Sequence, residues 1–134
     1  MTRLEVINPA ALGAPRGYSN GILAPAGGRL LFVAGQIGWD GDQRLVSEDF
    51  VAQFDQALGN VVTVVREAGG APDAIARLTL YVTDKQAYLA ALRQIGECYR
   101  RHMGRHFPTM ALVEVADLLE AGAQVEIEAT AVIA

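Results

Sequence analysis

Two apolar runs in the last third of the chain have the alternating pattern of β-strands. Residues 107–115 read FPTMALVEV, and residues 125–131 read VEIEATA after a short loop. In an extended strand successive side chains point to opposite faces, so Glu126 and Glu128 share one face and the apolar residues between them share the other. The pattern therefore predicts a strand that presents two carboxylates to one side of a sheet.

Helical periodicity marks two segments upstream of these strands. Between residues 48 and 68 apolar side chains recur every three or four positions, and Gly69-Gly70 then supplies a stop signal. A second pattern covers residues 85–103 and follows Thr83-Asp84, which is typical of a helix N-cap. The apolar stripes are Val51, Phe54, Leu58, Val61, Val62 and Val65 in the first helix, and Tyr88, Leu92, Ile95 and Tyr99 in the second.

The remaining apolar segments predict four further strands. They cover residues 4–7, about 18–23, 29–36 and 76–82, and the sequence PAGG at 25–28 predicts a hairpin-like turn between the second and third. The predicted elements follow the order strands, helix, strand, helix, strands, and the sequence has no linker and no strong repeat. This order predicts a single α+β domain over residues 1–134.

The strand at residues 29–36 is apolar on both faces. Residues 30–34 read LLFVA, the pattern of a strand buried on both sides. Two helices can cover only one face of the predicted sheet, so something else must cover the other. Another copy of the chain is the most economical cover, and we expect a homo-oligomer.

Composition favours small metabolites over polyanions as partners. The chain has 134 residues, 51% of them hydrophobic and 19% charged, and a net charge of −4. An acidic balance provides no positive field for nucleic acid or an anionic membrane surface, so we expect neither partner. The apolar excess is consistent with a surface that contacts another chain.

No apolar run is long enough to predict a signal peptide or a membrane span, and we expect a cytoplasmic protein. The single cysteine, Cys98, lies in the second helical pattern, where a buried and inert thiol is expected.

Five segments together resemble the reactive intermediate deaminase (Rid, or YjgF) family. They are Phe107-Pro108, the strand at 113–115, the VEIEA of residues 125–129, GYSNG at 17–21 and VAGQI at 33–37. The resemblance implies a chorismate-mutase-like α+β fold: a mixed sheet with two helices packed on one face, and a barrel formed by homotrimerisation with sites between subunits. It also implies hydrolysis of 2-imino and 2-enamino acids to 2-oxo acids and ammonia, without a cofactor.

Three positions of this sequence match functional positions of that family. By resemblance Tyr18 lines the pocket, the Gly35 amide meets a ligand oxygen, and Glu126 holds the attacking water or exchanges a proton with it. Each residue also has a purely structural interpretation: Tyr18 as an interface aromatic, Gly35 as a bend and Glu126 as an interface carboxylate. The sequence leaves both interpretations open.

Other positions depart from the family pattern. Met110 stands where the deaminating branch has an arginine that holds the substrate carboxylate, Ala34 where many members have serine, and Leu92 near a frequent asparagine. A thioether provides no positive charge, so ordinary 2-imino acids should be poor substrates. We predict a more apolar pocket, with Trp39 as either a stacking group or a core tryptophan, and Arg16 as a replacement cation or a solvated side chain.

The basic residues from Arg100 to His106 are predicted to be a solvated helix end, whose charge complements the helix dipole. His102 and His106 have an i, i+4 spacing but no evident third ligand, so we expect no metal site.

Three functions compete: a hydrolytic deaminase for an enamine or imine other than simple 2-imino acids, a non-catalytic trimer that binds a small ligand or a protein, and a ribonuclease. The acidic balance and the lack of a suitable histidine pair argue against the third.

Overall fold

The computed structural model describes residues 3–134, which form two sheets and three α-helices. In chain order the elements are β1 (Glu5–Ile7), β2 (Gly21–Leu23), β3 (Arg29–Gln36), α1 (Phe50–Glu67), β4 (Ile75–Val82), α2 (Lys85–Ala90), α3 (Leu92–Met103), β5 (Thr109–Glu114) and β6 (Val125–Ile133). Two short 3-10 helices lie at Ala10–Leu12 and Pro72–Ala74.

The main sheet has four strands in the order β3-β6-β4-β5. Strands β4 and β5 are parallel, whereas β6 runs antiparallel to both β3 and β4. The sheet is therefore mixed, and the predicted α+β class is confirmed. Strands β3 and β5 form its two edges, so the segments around Gly35 and Met110 lie at opposite edges of the sheet.

One face of this sheet carries the hydrophobic core. Helices α1 and α3 pack against it, and the inward side chains of β6 are fully or almost fully buried. The predicted alternation of β6 is confirmed, because Glu126 and Glu128 are half-buried on the other face. Strand β4 alternates in the same way and directs Leu78, Leu80 and Val82 into the core.

The other face of the sheet is not covered by any element of the described chain. Leu30 is 63% exposed and Phe32 is 74% exposed, although both lie in the strand predicted to be buried on both sides. A phenyl ring left in water forgoes about 2 kcal/mol of burial energy. This face has the composition of a surface that another chain would cover.

Both ends of α1 are capped, and the C-terminal stop at Gly69-Gly70 agrees with the predicted signal. Asp49 caps its N-terminus and accepts a hydrogen bond from the Ala52 amide at 3.0 Å. At the other end Gly69 has φ +91°, and the Gly70 amide donates to the Val65 carbonyl at 3.0 Å. This is the left-handed stop that a glycine at this position favours.

Two sequence-based predictions need correction. The predicted helix over 85–103 is divided into α2 and α3 at Ala91, whose φ of −119° and ψ of 21° are not helical. The apolar stripe continues across this one residue, so periodicity does not reveal the break. The turn at 25–28 does not join a hairpin either: β2 pairs with β1 in a separate two-stranded sheet, and β3 pairs with β6.

Within residues 3–134, none of the helices combines the length and the hydropathy that a membrane crossing requires.

Candidate functional site

Glu126 and Gly35 are in close contact across neighbouring strands. The β3–β6 register shifts between Val33 and Gln36, so Gly35 lies in a bulge where the regular pairing is interrupted. A Cβ atom at Gly35 would lie 2.5 Å from Glu126 Oε2 and 2.8 Å from its Cγ. The glycine therefore provides the space that the Glu126 side chain occupies, as is common for bulges beside functional sites.

The two carboxylates of β6 have different surroundings. Glu128 Oε1 accepts a hydrogen bond from the Tyr81 hydroxyl at 2.7 Å, and this bond, with a smaller effect of desolvation, raises the pKa of Tyr81. The Glu126 side chain has no hydrogen-bond or ion-pair partner among residues 3–134. A half-buried carboxylate with free lone pairs can orient a water molecule and accept its proton.

Tyr18 is attached to the opposite edge of the sheet. The buried Ser19 donates its amide hydrogen to the Pro108 carbonyl at 3.0 Å, and its hydroxyl hydrogen-bonds the Phe107 carbonyl. Tyr18 thus lies beside β5 and lines a groove along that edge. The groove is lined by Tyr18, Ser19, Asn20, Arg77, Thr79, Thr109, Met110 and Ala111, among others.

Met110 separates this groove from an apolar cavity of about 240 Å³. Its partner in the β4–β5 register is Leu78, so its side chain lies on the helix side of the sheet. The cavity lies between the main sheet and the helices α1, α2 and α3. Leu92 lines it, together with Tyr88, Ile95, Gly96, Tyr99, Arg100 and Phe107.

The aromatic wall of the cavity is rigidly held. Tyr99 stacks on Phe107 with 5.4 Å between ring centroids and a 4° interplanar angle. The Tyr99 hydroxyl donates to the His106 carbonyl at 2.6 Å, and burial raises the pKa of Tyr99. Burial also raises the pKa of Tyr88, so both phenols are neutral around pH 7.

In one chain the predicted site residues form two separate groups. Glu126 pairs with Tyr81 and Met110 with Leu78, and residues 78 and 81 of β4 point to opposite faces. Strands β6 and β5 are two strand spacings apart, which is about 10 Å. Glu126 and Gly35 therefore form one predicted half-site, and Tyr18, Met110 and Leu92 form the other.

The other predicted residues lie outside the cavity. Ala34 is exposed in the β3 bulge, next to the first half-site. Trp39 is half-buried in the loop before α1, where its carbonyl accepts a hydrogen bond from Asn60 Nδ2 at 3.0 Å. Arg16 is exposed and lines neither the groove nor the cavity, although Gly17 lines the cavity. For these three residues, ligand binding stays a prediction.

Sequence reasoning did not place Arg100 at the cavity, because its position in the last turn of α3 suggested only a solvated helix end. Leu92, Gly96 and Arg100 are spaced i, i+4, i+8 and therefore lie on one helix face. All three line the cavity. This spacing was the available signal, since Leu92 was already a candidate.

The two histidines are used in separate structural contacts. His102 Nε2 lies 2.8 Å from Asp55 Oδ1 on α1, and His106 Nε2 lies 2.6 Å from the Ile75 carbonyl oxygen. Arg101 also contacts Asp55, at 3.2 Å. Among the described residues there is no group of three His, Cys, Asp or Glu side chains arranged to hold a metal ion.

Comparison with known proteins gives concordant matches over almost the whole chain. The model of the family described as endoribonuclease L-PSP matches residues 8–133. The 2-iminobutanoate/2-iminopropanoate deaminase of Salmonella typhimurium is 34% identical over 124 residues, which cover 92% of this chain and 91% of that protein. The crystal structure of the Rid-family protein YyfB from Yersinia pestis aligns with a TM-score of 0.87, 32% identity and coverage of 98% and 99%. E. coli TdcF with bound serine aligns with a TM-score of 0.67, 30% identity and coverage of 91% and 92%.

Proposed function

The chain belongs to the Rid/YjgF (endoribonuclease L-PSP) family, and we propose that it is a homotrimeric hydrolytic deaminase for an imine or enamine other than simple 2-imino acids. The observation that carries this proposal is the Glu126 carboxylate, half-buried against the Gly35 bulge and without a protein partner among residues 3–134. The Salmonella relative, whose name states a deaminase activity, supports the reaction class.

The separation of the two half-sites supports the proposed assembly. Glu126 and Met110 lie on different strands and opposite faces, so one chain cannot direct both at one small ligand. A second copy with its β3 edge against the β5 edge would bring a Glu126 to a Tyr18. Three such contacts close a ring and cover the exposed Leu30 and Phe32 side chains.

The chemistry that Glu126 would support is a hydrolysis in two steps. The carboxylate accepts a proton from water while the water oxygen bonds to the imine carbon, and the proton passes to the imine nitrogen. The resulting carbinolamine transfers its hydroxyl proton, again through Glu126, to the nitrogen. The carbon–nitrogen bond then breaks, ammonia leaves with the electron pair, and a carbonyl product remains. An enamine substrate enters the same route after its carbon is protonated.

Met110 excludes the simplest substrates. The resemblance implies an arginine at this position for binding the carboxylate, and Met110 instead forms part of an apolar wall. Losing a charge-assisted bidentate contact removes about 2 to 3 kcal/mol of binding, or roughly a hundredfold in affinity. A short 2-imino acid has no other large group with which to recover that affinity.

Ammonia release is the direct test. Imines are generated in place from alanine and from phenylalanine by an amino-acid oxidase, and the loss of imine is compared with and without the protein. We expect the native protein to accelerate hydrolysis of the phenylalanine-derived imine. Glu126→Gln should reduce this rate at least about a hundredfold. Glu120→Gln, in the exposed loop before β6, is the matched control. Equal rates for the native protein and the Glu126 variant would contradict the proposal.

Analytical sedimentation tests the assembly. It should give the mass of three chains for the native protein, and Phe32→Glu should dissociate them.

The replacement of arginine by Met110 also favours a second candidate, a trimer that binds a small ligand without turnover. A ligand that raises the unfolding temperature while no imine in the panel is hydrolysed would select this alternative. The family description names an endoribonuclease, but the net charge of −4 and the separate contacts of His102 and His106 do not favour cleavage of RNA.

A further inference from the structure

The cavity beside Met110 is almost entirely apolar. Its lining consists of aliphatic and aromatic side chains from the sheet and from α1, α2 and α3, and only three lining side chains carry N–H or O–H groups: Tyr88, Tyr99 and Arg100. The Tyr99 hydroxyl is already used, since it donates to the His106 carbonyl. The deep part of the cavity therefore offers a ligand dispersion contacts and burial, which suits a hydrocarbon group.

The volume of the cavity matches an aromatic side chain. A dry cavity of about 150 Å³ lined by leucine, isoleucine and phenylalanine accommodates benzene. The cavity described here measures about 240 Å³ and has the same kinds of lining residue. A phenyl ring with a short chain fits this space, whereas a methyl or ethyl group would leave most of it empty.

Arg100 is the single cation of the cavity lining. Its guanidinium extends back along α3, because a Cβ atom built at Gly96 would lie 3.4 Å from Arg100 Nη1. No carboxylate among residues 3–134 pairs with Arg100, unlike its neighbour Arg101, which contacts Asp55. The Arg100 side chain is exposed on one side and so lies at the mouth of the cavity.

Gly96 keeps the route to the cavity open. Glycine in a helix interior costs about 1 kcal/mol relative to alanine, so a residue with a side chain would stabilise α3. At this position a larger side chain would extend into the space below the Arg100 guanidinium, since both residues line the cavity. The glycine therefore leaves room for a ligand group between the cation and the aromatic wall.

We propose that this cavity receives the aromatic side chain of a 2-imino or 2-enamino acid and that Arg100 binds the substrate carboxylate at its mouth. The proposal deepens the proposed deaminase function and rests on it for the reacting group, but the recognition itself requires no turnover. The Arg100 guanidinium supplies, from α3, the bidentate carboxylate contact that Met110 cannot make from β5. The reacting carbon, next to the carboxylate, then lies at the opening rather than inside the cavity.

Binding of unreactive probes tests this assignment in the intact oligomer. Titration calorimetry compares 3-phenylpropanoate, its neutral counterpart 3-phenylpropan-1-ol, and propanoate. We expect the aromatic acid to bind at least about tenfold more tightly than either other probe, because it alone uses both the cavity and the cation. Equal affinities of the aromatic acid and the alcohol for the native protein would overturn the proposal.

Two variants test the contributions of the cation and of the cavity to binding separately. Arg100→Gln should remove the preference for the acid over the alcohol, and Gly96→Leu should weaken both aromatic probes at least about tenfold. Arg93→Gln, on the exposed part of the same helix, is the control that should change neither. Circular dichroism verifies that each variant is folded. If Gly96→Leu unfolds, Arg100→Gln still tests the proposal, because it changes an exposed side chain.

The remaining outcomes distinguish this inference from the proposed function. Arg77 lines the neighbouring groove, so loss of the acid preference in Arg77→Gln but not in Arg100→Gln would overturn the assignment to Arg100. If the probes behave as expected and no imine is hydrolysed, the recognition stands and the deaminase proposal fails. If imines of alanine and phenylalanine are hydrolysed equally well, with no dependence on Arg100, the deaminase proposal stands and this inference fails.

Discussion

Gly35 and Glu126 are complementary in shape: a Cβ atom on the glycine would lie 2.5 Å from the Oε2 atom of the glutamate. The glycine lies in a bulge of the edge strand β3, and the glutamate in the neighbouring strand β6. The position of the carboxylate is therefore set by the absence of a side chain on the adjacent strand. This relationship gives Gly35 a role beyond that of a bend.

Gly35→Ala should displace the Glu126 carboxylate without unfolding the protein. The new methyl group meets the flexible end of a glutamate, which can move, so we expect a loss of stability below about 1 kcal/mol. Turnover should fall at least about tenfold, since a displaced base loses its alignment with water. Ammonia release and thermal unfolding measure the two effects. Gly41→Ala, which adds a methyl group where no atom lies within 4 Å, is the control and should leave both unchanged.

Met110→Arg should allow the protein to accept 2-iminopropanoate. The arginine would restore the positive charge that the resemblance implies, and Met110 borders the Tyr18 groove, where the long side chain can reach water. We expect a gain of at least about tenfold in kcat/KM for the alanine-derived imine, with Met110→Leu as the uncharged control. Rapid hydrolysis of this imine by the native protein would contradict the prediction that Met110 makes short 2-imino acids poor substrates.

Much of the fold could be predicted from the sequence because strand alternation is a local property. The side chains of β6 alternate as predicted, and the bounds of β3, residues 29–36, are those expected. The partner of β2 could not be predicted in this way. The turn at 25–28 specifies where the chain bends but not which strand will pair with β2, and in the structure β2 pairs with β1.

The site was less predictable than the fold, because it depends on the register between distant strands. Alternation gives the face of Glu126 within β6 and that of Met110 within β5, but not whether the two faces coincide. They do not, because these residues pair with Tyr81 and Leu78, which are an odd number of positions apart on β4. The proposed role of Arg100 was not evident from the sequence for a related reason: a cation in the last turn of a helix already has a sufficient explanation in the helix dipole.

Gln53→Leu should destabilise the fold strongly. Gln53 is fully buried on α1, donates to the Ser47 and Gly122 carbonyls at 2.9 and 3.0 Å, and accepts from the Gln124 amide at 2.8 Å. Leucine would leave these backbone groups without partners, at a cost of about 3 kcal/mol in the free energy of unfolding. Urea denaturation measures the change, and Gln94→Leu on the exposed side of α3 should change it by less than about 0.5 kcal/mol. A small effect at Gln53 would mean that this side chain does not hold the two loops together.

Cys98 should be unreactive in the native protein. The thiol is 4% exposed, and burial raises its pKa, although the nearby Arg101 guanidinium partly opposes that shift. A raised pKa lowers the fraction of thiolate at any pH below it, and the thiolate is the species that attacks disulfide reagents. At pH 8 we expect the native protein to react with a disulfide reagent at least about a hundredfold more slowly than the urea-unfolded chain. Comparable rates would mean that α3 opens readily, which would also contradict a rigid aromatic wall built on the same helix.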